Sequence, residues 1–163
     1  MYVPSRRRPM GSAMSPLLAR SLFVALYVLY PLGCILQLGP DTGDDLPILS
    51  VIGLLMVAAS FLAFAVLAGS SFQRQAQEPD TTLDERELAQ RNRAAYRAFA
   101  VFAGIVALGL LYMDLRMDFA GRFPLWAPTE QAHWNALFWG AIILGLTLPA
   151  AFLAWEKEPP LED

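Results

Sequence analysis

Ionisable groups are scarce in this chain of 163 residues: 17% of the residues are charged and 56% are hydrophobic. That balance, with a mean hydropathy of +0.41, is too apolar for an ordinary soluble domain of this length, and a bilayer accounts for it most economically. There is one cysteine, Cys34, so no internal disulfide can form and the covalent chemistry says nothing about compartment. There is one histidine, His133, with no H-x-x-x-H and no cysteine pair, so the usual metal-binding signatures are missing. Lys157 is the sole lysine beside a set of arginines, a bias that suggests a GC-rich bacterial genome more than any partner. The net charge is -3, which gives no case for binding nucleic acid. No ionisable residue lies in the middle of a long apolar run. A proton- or sodium-coupled transporter would be expected to keep one there despite the cost, so that class is weakened.

What is present is a series of four apolar runs. Ser21 to Leu38 carries 18 residues without a charge, close to the ~20 that a helix needs to cross a bilayer. Pro47 to Ala68 follows, with proline at a first-turn position where its missing N–H is harmless. The third run is expected to span about 98–115 and the fourth 134–155, the latter with a tryptophan at each end, as interfacial aromatics should be. The fold expected is therefore all-α: an integral membrane four-helix bundle with short loops and a juxtamembrane extension of the third span. Residues 1–20, with Arg6, Arg7, Arg8, Arg20 and three prolines, read as a flexible basic tail; 21–155 as the transmembrane domain; 156–163 as an acidic tail. Arg6-Arg7 and Leu32-Gly33-Cys34 faintly match targeting signals. Pro31 and the apolar residues after Cys34 fit those signals poorly, so a retained span is expected.

The third span has a long charged approach, TTLDERELAQRNRAAYR, residues 81–97, entering the apolar run without a Gly or Pro. Thr82 and Glu85 have capping-box spacing, and Glu87 precedes Arg91 by four residues, so a helix over 82–97 has local support. The preceding GSSFQRQAQEPDTT reads as a polar, flexible link, and GPDTGDD at 39–45 as a tight turn joining antiparallel neighbours. The loop 114–133 mixes charge with Phe119, Phe123, Leu125 and Trp126, a composition suited to lying on headgroups. Basic residues gather before the first span, between the second and third, and after the fourth, leaving only Arg116 and Arg122 on the other side. The positive-inside rule then places both termini in the cytoplasm.

Three sets of residues are candidates for function. Small residues four apart permit close helix approach: Ala59 with Ala63, Ala100 with Gly104, Ala136 with Gly140. Packing within the bundle is the expected use of these pairs, a partner protein or a second copy of the chain the alternative. Arg86, Arg91, Arg93 and Arg97 could hold anionic headgroups or a partner, each worth about 1 kcal/mol near a charged surface. Asp114, Asp118, Glu130 and His133 could converge on the outer face, since carboxylates with an imidazole suit a divalent ion, but interfacial charges and a lone capping histidine are the expected reading and no metal is expected. Ser60 and Thr147 are expected to bond their own helix.

DEREL followed by RNRAAYRAFA, Asp84 to Ala100, resembles the acidic-then-basic juxtamembrane helix of small uncharacterised bacterial inner-membrane proteins, and LPAAFLAWEKEP, Leu148 to Pro159, is similar to a helix-end pattern of such chains. The resemblance implies a multi-pass inner-membrane protein and brings no catalytic residues. The function expected is a non-catalytic structural or accessory subunit acting through helix contacts, with no cofactor; a small carrier or channel component, or a membrane enzyme using the outer acidic face, are the alternatives.

Overall fold

The computed structural model describes residues 14–38, 47–119, 122–123 and 125–156. The Arg6-Arg7-Arg8 cluster, the 39–45 turn and Lys157 with the acidic tail lie outside the described residues. Within them the protein is helical: α1 (Pro16–Leu38), α2 (Pro47–Ala68), α3 (Ser71–Gln77), a single 3-10 turn (Asp80–Thr82), α4 (Glu85–Asp118) and α5 (Gln131–Glu156). Four of these, α1, α2, α4 and α5, are long and apolar enough to cross a membrane, so this is a multi-pass membrane protein built as a four-helix bundle.

Helix starts follow local chemistry. Ser15 accepts a hydrogen bond from the Leu18 amide at 3.2 Å and Pro16 occupies the first helical position, so α1 begins five residues before the charge-free run and takes in Arg20. At α4 the capping box closes on Asp84 and Glu87, two residues later than the spacing of Thr82 with Glu85 suggests. Asp84 Oδ1 accepts from the Glu87 amide at 2.7 Å, and Glu87 Oε2 accepts from the Asp84 amide at 3.4 Å. Both boxes satisfy the motif, but an aspartate acceptor in extended backbone at residue 84 leaves 80–82 free to form the 3-10 turn.

The link between α2 and α4 is more ordered than its polar composition suggests. Ser70 caps α3 by accepting from the Gln73 amide at 3.2 Å, and Phe72, Gln73 and Gln75 are buried. Gln73 Nε2 donates to the Leu146 carbonyl of α5 at 2.8 Å, close to the turn where Pro149 has no N–H to donate. A short helix is thereby folded back against a span.

Spatial order differs from chain order. α1 packs extensively on α2 and also on α5, and α5 packs on α4, so neighbours run α2, α1, α5, α4, while α1 and α4 hardly touch. The core lies between α1, α2, α3 and α5, where Phe23, Leu26, Leu67, Phe72 and Leu153 are sealed among Ala19, Ala63, Ala150, Ala151 and Ala154. α1 and α2 come backbone to backbone at Gly33 and Gly53. Small residues allow that approach where lipid supplies no hydrophobic incentive to associate.

Candidate functional site

A cavity of about 750 Å³ runs between α1 and α4 over a floor formed by α5. Its α1 wall descends from Leu38 through Ile35, Cys34, Pro31, Tyr30 and Tyr27 to Leu26; its α4 wall is Phe102, Ile105, Val106 and Gly109. The volume falls within the roughly 300–1,000 Å³ usual for small-molecule sites. This groove exists because α4 leans mainly on α5 and hardly touches α1, leaving the space beside α1 unfilled.

Hydrogen bonding inside it is closed. Thr147 Oγ1 donates to the Ile143 carbonyl at 2.6 Å, which uses its one proton, so in the 2.9 Å contact between Tyr27 and Thr147 the phenol is the donor. Tyr30 donates to the Ala136 carbonyl at 2.7 Å. Ser60, on α2, donates to Val57 of its own helix at 2.7 Å. The hydroxyls that could have marked a polar path are thus paired off separately, Ser60 and Thr147 by bonding their own helices as their type suggests. Cys34 is half-buried on the groove wall and Gln37 is exposed.

His133 closes the end of the groove beside Leu38. Its Nδ1 accepts from the Glu130 amide at 3.3 Å, which leaves Nε2 as the protonated nitrogen facing the Leu38 carbonyl at 3.4 Å. His133 thus sits in the third position of α5, reaching back to the cap as a box glutamate would, and its ring meets Trp126 edge-on with centroids 5.5 Å apart. Asp114 and Asp118 are exposed along α4 and Glu130 is exposed at the start of α5. Among the described residues no group of three or more His, Cys, Asp or Glu comes together, so the four outer residues do not form a metal cluster there.

The opposite end of the bundle is held by arginines. Arg20 donates from Nε to the Ala154 carbonyl at 2.9 Å and from Nη2 to the Trp155 carbonyl at 3.3 Å, a cation on the negative end of α5. Arg97 pairs with Glu156 at 2.9 Å, tying α4 to the same place. Arg91 turns away from Glu87 toward the turn before its own helix. It donates to the Glu78 carbonyl at 2.5 Å and pairs with Asp80, and little of its side chain is exposed. Arg86 and Arg93 are exposed and form no ion pair among the described residues. The four arginines therefore divide into two braces and two solvent-facing charges.

The small-residue pairs divide as well. Ala63 is buried and Ala59 exposed; Gly140 takes the Tyr30 ring, with Ala136 supplying that residue's acceptor. Ala100 and Gly104 face outward, and a methyl built on Gly104 would meet nothing within 4 Å. The tight approach of Gly33 to Gly53 pairs one glycine from each of two helices, so no search for small residues four apart in one helix finds it.

No family model matches this chain, and no curated protein or solved structure shows significant similarity to it. The geometry alone therefore carries the functional reading.

Proposed function

We propose that this chain is a non-catalytic accessory subunit of a bacterial inner-membrane complex, with both termini cytoplasmic, and that α4 is the helix its partner contacts. The observation that carries the reading is how bare α4 is. In the most apolar stretch of each span, 6% of α4 is covered inside the bundle against 33% of α5. Ala100, Gly104, Leu108, Leu111 and Leu115 recur at helical spacing along one exposed face, away from Phe102, Ile105, Val106 and Gly109. A small-xxx-small pair at the start of that face is the feature that lets a second backbone come near. The cytoplasmic part of α4 extends the same helix with Arg86 and Arg93 exposed, so a partner could read both regions at once.

Support for the two other readings is thinner. A carrier or channel needs a polar path, and the hydroxyls here are bonded within the bundle. An outer-face enzyme needs convergent ionisable groups, and His133 is occupied in holding the ends of α1 and α5.

The test is extraction from the native membrane in mild detergent with a photo-crosslinking residue at Leu108, on the exposed face, or at Ile143, in the core. Crosslinks to another protein from position 108 and none from 143 are expected. A chain that runs only as a monomer and gives no crosslink from 108 overturns the proposal.

A further inference from the structure

The charged part of α4 reaches past the last turn of α5. α5 runs back along α4: a methyl on Gly145 would stand 4.0 Å from the Phe102 ring, and Glu156 pairs with Arg97 at 2.9 Å. The chain therefore leaves α5 heading toward the start of α4, which continues about 18 Å in that direction, from Arg97 back to Glu85. Arg86, Arg93 and Arg97 are spaced seven and four residues apart, so they share one face, and all three are exposed. Arg91 lies on another face, held by Glu78 and Asp80. Glu87 is taken up by the capping box, and Glu85 stands more than a quarter-turn to the side of Arg86. The face presents three cations and no carboxylate of its own helix.

Residues 157–163, KEPPLED, lie outside the described residues and follow directly on the Glu156–Arg97 pair. They carry Glu158, Glu162 and Asp163 against the single cation Lys157. Pro159 and Pro160 favour an extended chain, in which each residue advances about 3.1–3.3 Å. At that rise Glu158 comes about 6 Å and Glu162 about 19 Å beyond Glu156. Along the helix, Arg93 comes about 6 Å and Arg86 about 17 Å beyond Arg97. The two charge series match to within the play of a flexible arginine stem. Exposed ion pairs are individually weak, but a segment already anchored at Glu156 meets these arginines at a high effective concentration.

We infer that the acidic segment after α5 lies along this face of α4 as a strap, with Glu158 on Arg93 and Glu162 on Arg86. An anionic headgroup would meet Arg97 and Arg93 but not Arg86, because about 18 Å of helix separates Arg86 from the apolar run at Ala98 and a headgroup layer is about 5–8 Å deep. A second copy in the same membrane would run its α4 parallel to this one, setting arginine against arginine at each level. The strap is a contact within one chain and needs no partner. A partner that reads this part of α4 would have to displace it, a consequence that rests on the function proposed above.

The experiment treats the full purified chain, in phosphatidylcholine nanodiscs, with a carbodiimide, which condenses a carboxylate with an amine where the two are in contact. Arg93→Lys and Arg86→Lys keep the charge and supply the amine. Ala95→Lys supplies the background, being exposed two residues on and about half a turn round the helix. Mass spectrometry should find an amide from position 93 to Glu158 and from position 86 to Glu162, each at least fivefold above any amide those glutamates form with position 95. Equal yields from positions 93 and 95 overturn the strap. So does an amide from Glu158 to position 20 in Arg20→Lys with none to position 93, which would turn the segment toward α1, or amides formed only between two chains. A yield that drops to background when phosphatidylglycerol replaces part of the phosphatidylcholine gives the face to headgroups and also overturns it. None of these results decides the partner reading of α4, which stands or falls on the crosslink from Leu108.

Discussion

Gly33 and Gly53 face each other backbone to backbone: a methyl group on Gly33 would stand 2.8 Å from the Gly53 carbonyl oxygen, and one on Gly53 would stand 2.8 Å from the Gly33 oxygen. Neither collision can be relieved by rotating a side chain, because the obstacle is main chain. Gly33→Ala and Gly53→Ala are therefore each expected to cost about 1–3 kcal/mol, the usual penalty for overfilling a packed seam. Gly104→Ala, with nothing near it, should stay within about 0.5 kcal/mol of the parent. Reversible unfolding in mixed micelles measures all three. Equal stability of the three variants would mean that α1 and α2 do not meet at these glycines.

A second expectation concerns direction in the Tyr27–Thr147 bond. Thr147 has one proton and gives it to Ile143, so it serves Tyr27 only as an acceptor. Thr147→Val then strands the Tyr27 hydroxyl beside an apolar group, whereas Tyr27→Phe removes a donor and leaves Thr147 bonded to its own helix. The valine variant should lose more stability, and the coupling from a double-mutant cycle should be near the ~0.6 kcal/mol average for such bonds between membrane helices. Equal losses in the two single variants would reverse the assignment of donor and acceptor.

Arg20 joins the first span to the end of the last. Its two bonds to the Ala154 and Trp155 carbonyls satisfy acceptors that have no further helix turn to bond. Arg20→Ala is expected to cost about 1–2 kcal/mol, as charge-assisted bonds do when partly exposed, and to speed hydrogen exchange over the last turn of α5. Arg20→Lys should recover only part of this, since an ammonium cannot present two diverging N–H groups from one plane. Unchanged exchange in the alanine variant would show that α5 ends without help from α1.

These relationships explain why some of the fold was legible in the residues and some was not. Four spans follow from charge-free length, and that signal is strong because a charge in hydrocarbon is costly. The start of α1 was not read, because residues up to Arg20 with their prolines and arginines look like tail, whereas Ser15 and Pro16 open the helix there and Arg20 reaches across to α5. α3 carries seven residues with no apolar period, and what orders it is the contact of Phe72 and Gln73 with α5, 73 positions away for the Gln73 bond. The groove is a property of which helices are neighbours. Nothing local to α1 or α4 states that the two stand apart, so its lining could not be assembled from motifs.

The last expectation separates the two kinds of arginine on α4. Arg91 is turned inward to the Glu78 carbonyl and Asp80, bracing the turn between α3 and α4. Arg91→Ala should therefore loosen that turn, costing about 1–2 kcal/mol and accelerating amide exchange over residues 71–84. Arg86→Ala and Arg93→Ala remove exposed charges and should each stay within about 0.5 kcal/mol of the parent, with exchange unchanged. The same variants then report on binding without confusion from misfolding. If a partner reads the charged N-terminal part of α4, the Arg86→Ala, Arg93→Ala double variant should lose that partner on extraction while keeping the parent exchange pattern. A double variant that keeps its partner fully would confine recognition to the membrane-embedded face beginning at Ala100 and Gly104, where Gly104→Phe would then have to abolish it.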